Sequence, residues 1–259
     1  VKAGVPVISS ASLTVDSTPV VSGTAEVGST ITAVIAGATY TTTATNGTWS
    51  VDTGSATPAS GSLAVNANGT NSVSVTATDA AGNVSAAGAQ TLTVDTTVPT
   101  VNITDDTSGT AAGDITFTFT FSEAISDFLA EDITVANGTK GAFSQTSSTV
   151  YTLIVTPDAN STSAVTVDVG ANKATDAAGN NNTAATQATQ NVDTAAPTTP
   201  TITTITTPNA DNTPTITVTA EAGSTVKVYA DGALLGTATN GSGTTHTLTP
   251  SALPDGSYS

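Results

Sequence analysis

Apolar and polar residues alternate along most of this chain with a period of two. The run "ITFTFTF" from Ile115 to Phe121 is the clearest instance, with branched or aromatic side chains on one side and Thr on the other. Successive side chains of a strand point to opposite faces, so this is the signature of a strand with one buried and one wet face. "NSVSVTATD" (71–79), "TVYTLIVTP" (149–157), "SAVTVDVG" (163–170) and "TPTITVTAE" (213–221) behave alike. Clusters of Gly, Asn, Asp and Pro punctuate such runs every ~8–12 residues, which is the rhythm of a β-sandwich. No segment carries a convincing helical period, and "SEAISDFLAED" (122–132) supports one short turn at most. The prediction is an all-β chain of antiparallel sandwiches.

The same text returns at a fixed distance, and repeats at a domain-length period signal an array. "TVDTTVPT" (93–100) reappears as "NVDTAAPT" (191–198), and "TDAAGN" (78–83) as "TDAAGN" (175–180). "DSTPVVSGTAEVGST" (16–30) matches "DNTPTITVTAEAGST" (211–225), and "TATNG" (43–47) returns at 237–241. Three units follow: 1–95, 96–193 of a second subtype, and 194–259, which resembles the first. The third stops before any counterpart of "TDAAGN", so it is expected to lack its last two strands. On this reading the sequence is cut from a longer array.

Charge removes several classes of partner. Against 20 acidic residues stand 4 basic ones, for a net charge of −16. Nucleic acid and anionic membrane both need clustered Lys or Arg, so neither is expected as a partner. No apolar run approaches the ~18 residues of a membrane span, so no membrane insertion is expected. A hydrophobic fraction of 37% with clear strand periodicity argues against an acidic disordered chain. Without cysteine there are no disulfides and no thiolate metal sites. No signal-peptide pattern opens the sequence, which fits an internal piece or a C-terminal export signal.

Several tokens together carry a family likeness. "TPVVSGTAEVGST", "VTATDAAGNVS" and "VDTTVPT" in the first unit, with "FTFSEAI", "EDITVANGT" and "ATDAAGN" in the second, resemble the bacterial immunoglobulin-like domains of giant repetitive surface adhesins, the Bap-like and type I-secreted RTX-type proteins. The resemblance implies tandem Ig-like antiparallel β-sandwiches arranged end to end, the third incomplete. It further implies an extracellular, cell-surface stalk in adhesion and biofilm formation, often stiffened by calcium between domains. The partners it implies are neighbouring Ig-like repeats of the same chain, with a host or biofilm surface ligand gripped elsewhere in the protein. It implies no reaction, and the chain is not expected to be an enzyme.

Strand order in such a sandwich says where the acids fall. The B–C and F–G loops share the end where the chain enters, and the A–B loop and the exit of strand G share the other. At the first junction Asp95 and Asp16 come from one unit, and Asp176, Glu123 and Asp127 from the next. At the second, Asp193, Asp105 and Asp106 meet Glu221. Converging carboxylates repel unless a cation joins them, and Lys140, Lys173 and Lys227 are too few. Calcium takes roughly six to eight oxygen ligands in irregular geometry, whereas magnesium demands octahedral order. Calcium at the inter-domain junctions is therefore the expected cofactor, with the Pro after each linker Asp shortening the hinge. The competing reading is that these acids cap turns by bonding their own backbone. Lys2 stands where Asp95 stands in the next copy, so a site above the first unit would depart from the pattern.

Other chemistry has little to stand on. His246 is the only histidine and reads as a surface strand residue, which leaves a nucleophilic triad one possible base. Trp49, the only tryptophan, reads as a core or edge residue rather than a sugar platform. Asn46, Asn68 and Asn137 begin Asn-Gly-Thr triplets that read first as hairpin turns. Thr-rich runs such as "TITTITTP" (201–208) are too short and interrupted for a water-ordering array. Two functions from different classes remain: a calcium-stiffened stalk, and a glycan- or protein-binding Ig-like module whose loops carry recognition. Bland Thr, Ser and Ala faces favour the stalk.

Overall fold

The computed structural model describes residues 2–205 and 209–258, so Thr206 to Pro208 of the threonine run lie outside the described residues. The chain divides into two compact units, residues 1–193 and 194–259. The first unit holds two separate hydrophobic cores, one built from residues 3–94 and one from residues 101–192.

The first sandwich comprises β1 (Val7–Ile8), β2 (Leu13–Thr14), β3 (Val20–Thr24), β4 (Thr30–Ile35), β5 (Ala38–Thr43), β6 (Thr48–Asp52), β7 (Asn68–Thr78) and β8 (Gly88–Asp95). One sheet runs β1-β3-β6 and the other β2-β8-β7-β4-β5. Alternation decides the inward set: Ile31, Ala33 and Ile35 of β4 and Val73, Val75 and Ala77 of β7 are buried, while the Thr and Ser between them face out. One feature departs from an antiparallel sandwich. The first strand breaks in two and changes sheets, so that β1 pairs antiparallel with β3 but β2 pairs parallel with β8. Turn chemistry follows the residues: Asn46 (φ 53°) and Gly47 (φ 83°) are both left-handed, as a two-residue hairpin between twisted strands demands. Asn137 is left-handed too (φ 60°), but Asn68 corrects the turn expectation, because it opens β7 and its side chain serves the linker.

The second sandwich comprises β9 (Val101–Asp105), β10 (Ile115–Phe121), β11 (Ile133–Ala136), β12 (Gly138–Gln145), β13 (Val150–Pro157), β14 (Val165–Val169) and β15 (Ala188–Gln190), in sheets β12-β13-β10-β9 and β11-β14-β15. A single 3-10 turn, Ala130–Asp132, is the short helical piece expected from the 122–132 stretch. Ile115, Phe117, Phe119 and Phe121 of β10 all point inward, and Phe128 packs edge-on against Phe121 and Tyr151 at ring separations of 5.0 and 5.3 Å. Such tilted aromatic contacts are favoured by the ring quadrupole. This cluster anchors the loop 122–128, which carries Glu123 and Asp127.

The second unit comprises β16 (Thr201–Ile202), β17 (Ile216–Thr219), β18 (Lys227–Ala230), β19 (Ala233–Thr237), β20 (Thr239–Ser242) and β21 (Thr245–Leu248). Its sheet β16-β17-β21-β20 repeats the β1-β3-β6 arrangement, and β18-β19 repeats β4-β5. Among the described residues β18 pairs with β19 alone, where β4 in the first sandwich also pairs with β7. His246 corrects the surface reading, since it is 1% exposed. It faces Val218 across the strand pair, as Trp49 faces Gly23 in the first sandwich. Gly23 is required there: a Cβ would lie 1.8 Å from the Val7 carbonyl oxygen and 2.9 Å from Trp49 Cζ2. The second unit fills the same slot with a smaller ring and a larger opposite residue. The ring nitrogens keep the same habit, with Trp49 Nε1 donating to the Thr24 carbonyl (3.3 Å) and His246 Nε2 bonded to the Ser224 carbonyl (3.2 Å).

Volume conservation in a close-packed core makes a prediction. His246→Trp is expected to destabilise the second unit by about 1–3 kcal/mol through overpacking against Val218. Adding Val218→Gly should recover part of that loss, and thermal unfolding of the four variants closes a double-mutant cycle. Additive effects would show that the two positions do not share the slot.

Candidate metal centre

The site forms where the first sandwich hands the chain to the second, within the first compact unit. Strand β8 ends at Asp95, and the linker 96–100 leads directly into β9. Asp95 is held on β7 by its register opposite Asn68. Ser122, at the end of β10, donates its N–H to the Thr100 carbonyl (2.9 Å) and accepts from the Thr100 N–H through Oγ (3.0 Å). That pair of bonds seats Glu123 beside the linker. The loop "TDAAGN" between β14 and β15 brings Asp176 to the same place.

Asp95, Glu123 and Asp176 each present a carboxylate oxygen, and these oxygens lie within 4.8 Å of one another. Asp176 is almost wholly buried and closes its own loop: Oδ1 accepts the N–H groups of Gly179 (2.7 Å) and Asn180 (2.8 Å), and Oδ2 accepts Nδ2 of Asn180 (2.8 Å). Gly179 at φ 99° supplies the left-handed step the loop needs. The earlier copy folds alike, with Asp79 Oδ1 accepting from Ala81 (2.9 Å) and Asn83 (2.8 Å). Turn capping by Asp is thus real at both copies. It does not account for Glu123, whose Oε1 is buried without a hydrogen-bond partner.

The electrostatics of the two differ for physical reasons. Burial pushes the Glu123 carboxyl above the ordinary range, and the negative charges of Asp176 and Asp95 push it further. Burial also works against Asp176, but its hydrogen bonds from Asn180 and from the loop N–H groups outweigh that and hold it below the ordinary value. A cation placed among these three oxygens would satisfy the orphaned oxygen and cancel the repulsion together.

The other acids singled out from the sequence each make hydrogen bonds within their own unit. Asp127 ties its loop to the Asp176 loop, accepting the Thr175 N–H (2.8 Å) at Oδ1 and the Thr175 hydroxyl at Oδ2. Asp16 caps its own turn, with Oδ1 accepting from Thr18 N (2.7 Å) and Thr18 Oγ1 (2.9 Å). Asp105 accepts from Thr107 N (3.0 Å), and Asp106 from Thr116 N (2.9 Å). Asp193 donates its N–H to the Ala111 carbonyl (2.8 Å) in the first unit, and Glu221 accepts from Thr198 N (3.3 Å) in the second. Two polar residues went unremarked in the sequence. Asn180 and Asn182 are buried, and Asn182 accepts the Lys173 and Ala174 N–H groups (2.7 and 2.8 Å) to shape the loop. Asn180 reaches the linker itself, where its Nδ2 donates to the Asp95 carbonyl (2.8 Å). The only available signal was its place at the end of a repeated hexapeptide.

Residues 95–192, the span of the second sandwich, match the family described as bacterial Ig-like domain. Among solved structures, a chitinase, ChiA74 from Bacillus thuringiensis, is similar at 14% identity over 71% of this chain and 28% of its own, with a TM-score of 0.23. The chain therefore spans a little over a quarter of that structure's length. No curated protein matches. Among the described residues no helix is long and apolar enough to cross a membrane.

The two shifted carboxyls predict a pH profile for the metal-free protein. Glu123 binds its proton more tightly folded than unfolded, so its contribution is present in mild acid and is lost as pH rises through the raised value. Asp176 contributes above its unfolded pKa and loses that contribution as pH falls through the lowered value. Thermal stability of the second sandwich in EGTA should therefore peak at about pH 4–5 and decline toward neutrality. Glu123→Gln should flatten the decline, and a stability still rising at neutral pH in the unsubstituted chain would contradict the assignment.

Proposed function

We propose that this chain is a stalk segment of a large extracellular bacterial adhesin, in which calcium bound by Asp95, Glu123 and Asp176 stiffens the joint between consecutive Ig-like sandwiches. The observation that carries the reading is the composition of the trio. Asp95 belongs to the exit strand of one sandwich, and Glu123 and Asp176 to two loops of the next, so one ion on all three would couple both bodies. The buried, unpartnered Glu123 Oε1 supports a ligand role over turn capping. Carboxylate oxygens in an irregular loop-built cage suit calcium, which tolerates varied coordination, better than magnesium. The Asp95 side chain also accepts the Thr97 N–H (3.0 Å), which sets its orientation toward the second sandwich.

The family match to a bacterial Ig-like domain supports a surface-associated module, and the net charge of −16 supports a cationic partner. Extracellular modules of this kind bind calcium with Kd on the order of 10⁻⁴ to 10⁻³ M. Such sites fill in the millimolar calcium outside the cell and stay empty within it. Export of a flexible chain and display of a stiff one would then follow from mass action alone.

Titration calorimetry of the whole chain is the test. Calcium should bind with Kd on the order of 10⁻⁴ to 10⁻³ M, and about 2 mM calcium should stabilise the joined sandwiches by roughly 0.5–2 kcal/mol. Asp95→Ala and Glu123→Gln should each abolish the heat and the stabilisation while leaving both sandwiches folded. Small-angle scattering should show the spread of shapes narrowing with calcium. A chain that binds no calcium returns these acids to turn capping and moves the search to ligands of the loops.

A further inference from the structure

We infer that Asn180 is a positioning residue which, together with Asn68 on the opposite side, clamps the linker between the two sandwiches and sets the geometry of the joint before any ion is bound. The inference rests on the metal-centre reading only for the consequence it draws about calcium affinity.

The side-chain amide of Asn180 has two N–H bonds, and both are committed. Nδ2 donates to the main-chain oxygen of Asp95 at 2.8 Å and to Oδ2 of Asp176 at 2.8 Å. One planar group therefore sets the spacing between the linker and the loop acid. Its own rotamer is constrained, because Asn180 is buried and its main-chain N–H is bonded to Asp176 Oδ1 at 2.8 Å. From the first sandwich, Oδ1 of Asn68 accepts the Thr96 N–H (2.8 Å) and the Thr96 hydroxyl (3.0 Å), while that hydroxyl also reaches the Ala67 carbonyl (3.3 Å). Consecutive linker residues, 95 and 96, are thus gripped from two sides, one by each sandwich. The second grip continues along the linker through Thr183 N to the Pro99 carbonyl (2.9 Å) and Ser122 N to the Thr100 carbonyl (2.9 Å).

Residue chemistry at 180 is narrow. Both partners are acceptors, so the position needs two donors on one short stem, and an amide is the group that supplies them. A carboxylate of the same shape would offer only lone pairs, facing a carbonyl and a carboxylate. These bonds are neutral or singly charged and do not require a metal. They fix where the Asp95 carboxylate points and the direction in which the second sandwich departs. The ion's part is then to relieve the repulsion among three acids, which narrows motion about a geometry already set. Partners that orient metal ligands typically cost 10–100-fold in affinity when removed.

The chain has no cysteine, so a pair of spin labels can be placed without background. Ser72→Cys on β7 and Ser144→Cys on β12, both exposed, report the distance between the sandwiches in the whole chain. In EGTA the otherwise unsubstituted chain should give a distance distribution centred where it is centred in ~2 mM calcium, only broader. Asn180→Ala should displace or split that peak in EGTA and raise the calcium concentration needed to restore it by about tenfold or more. Asn68→Ala, which alters none of the three acids, should displace the EGTA peak in the same way. A metal-free peak centred elsewhere than the calcium-bound one, or variants whose EGTA distributions superimpose on the parent, would overturn the clamp. If calcium leaves the parent unchanged, the metal reading fails and the EGTA comparison still decides the clamp. Thermal unfolding of each variant checks that both sandwiches remain folded, and if Asn180→Ala does not fold, Asn68→Ala carries the decision.

Discussion

Like charges held close together in a partly dehydrated place cost free energy unless something answers them, and the joint between the first two sandwiches concentrates that cost. Two full charges at the 4.8 Å limit of the Asp95–Glu123–Asp176 trio repel by about 3–4 kcal/mol at an effective dielectric of ~20, less to the extent that water reaches them. The protein answers part of the charge itself. Hydrogen bonds from the loop N–H groups and from Asn180 settle on Asp176, whereas Glu123 Oε1 receives none. The joint is consequently asymmetric. One acid is satisfied by its own loop, one is turned by the linker, and one is left needing either a proton or a cation. The short linker, the aromatic anchor behind Glu123 and the two asparagine grips all bear on how that imbalance is held.

The repeated architecture shows how much a sandwich tolerates as long as volume and hydrogen bonding are conserved. Trp49 against Gly23 and His246 against Val218 occupy one slot in two related folds, and each ring nitrogen finds a main-chain carbonyl. The exchange moves bulk from one strand to its neighbour. It also carries a polar cost, because His246 Nδ1 is buried without a partner where indole has only carbon. Interiors packed like organic crystals allow such trades only in pairs. The parallel β2–β8 contact is a second architectural economy: by switching sheets midway, the first strand covers an edge of both, and edges are what sandwiches must protect.

Much of this was legible in the residues. Period-two alternation marked β7, β10, β13, β14 and β17, because a strand with one wet face must alternate, and Asn46-Gly47 marked its hairpin because few residues accept a left-handed backbone. The repeated "TDAAGN" and "VDTTVPT" placed Asp176 and Asp95 at sandwich ends, since loop order in this fold dictates which ends meet. The misreadings have a common cause. His246 and Asn68 were judged by residue type, yet one occupies an inherited core slot and the other faces the linker across a strand pair. Both are relations between segments distant in sequence.

Local pattern therefore determined the elements, the all-β class and the neighbourhood of each acid, because strand periodicity and turn chemistry are properties of a few adjacent residues. Only the tertiary structure decided which acids converge. Asp95, Glu123 and Asp176 come from three loops or strand ends, and their meeting depends on sheet order, linker length and the seating of residues 122–128 on an aromatic core. Asp16 and Asp127, singled out beside them by position, bond Thr18 and Thr175. A carboxylate takes whichever donor lies nearest, and what is nearest is a fact of the folded chain.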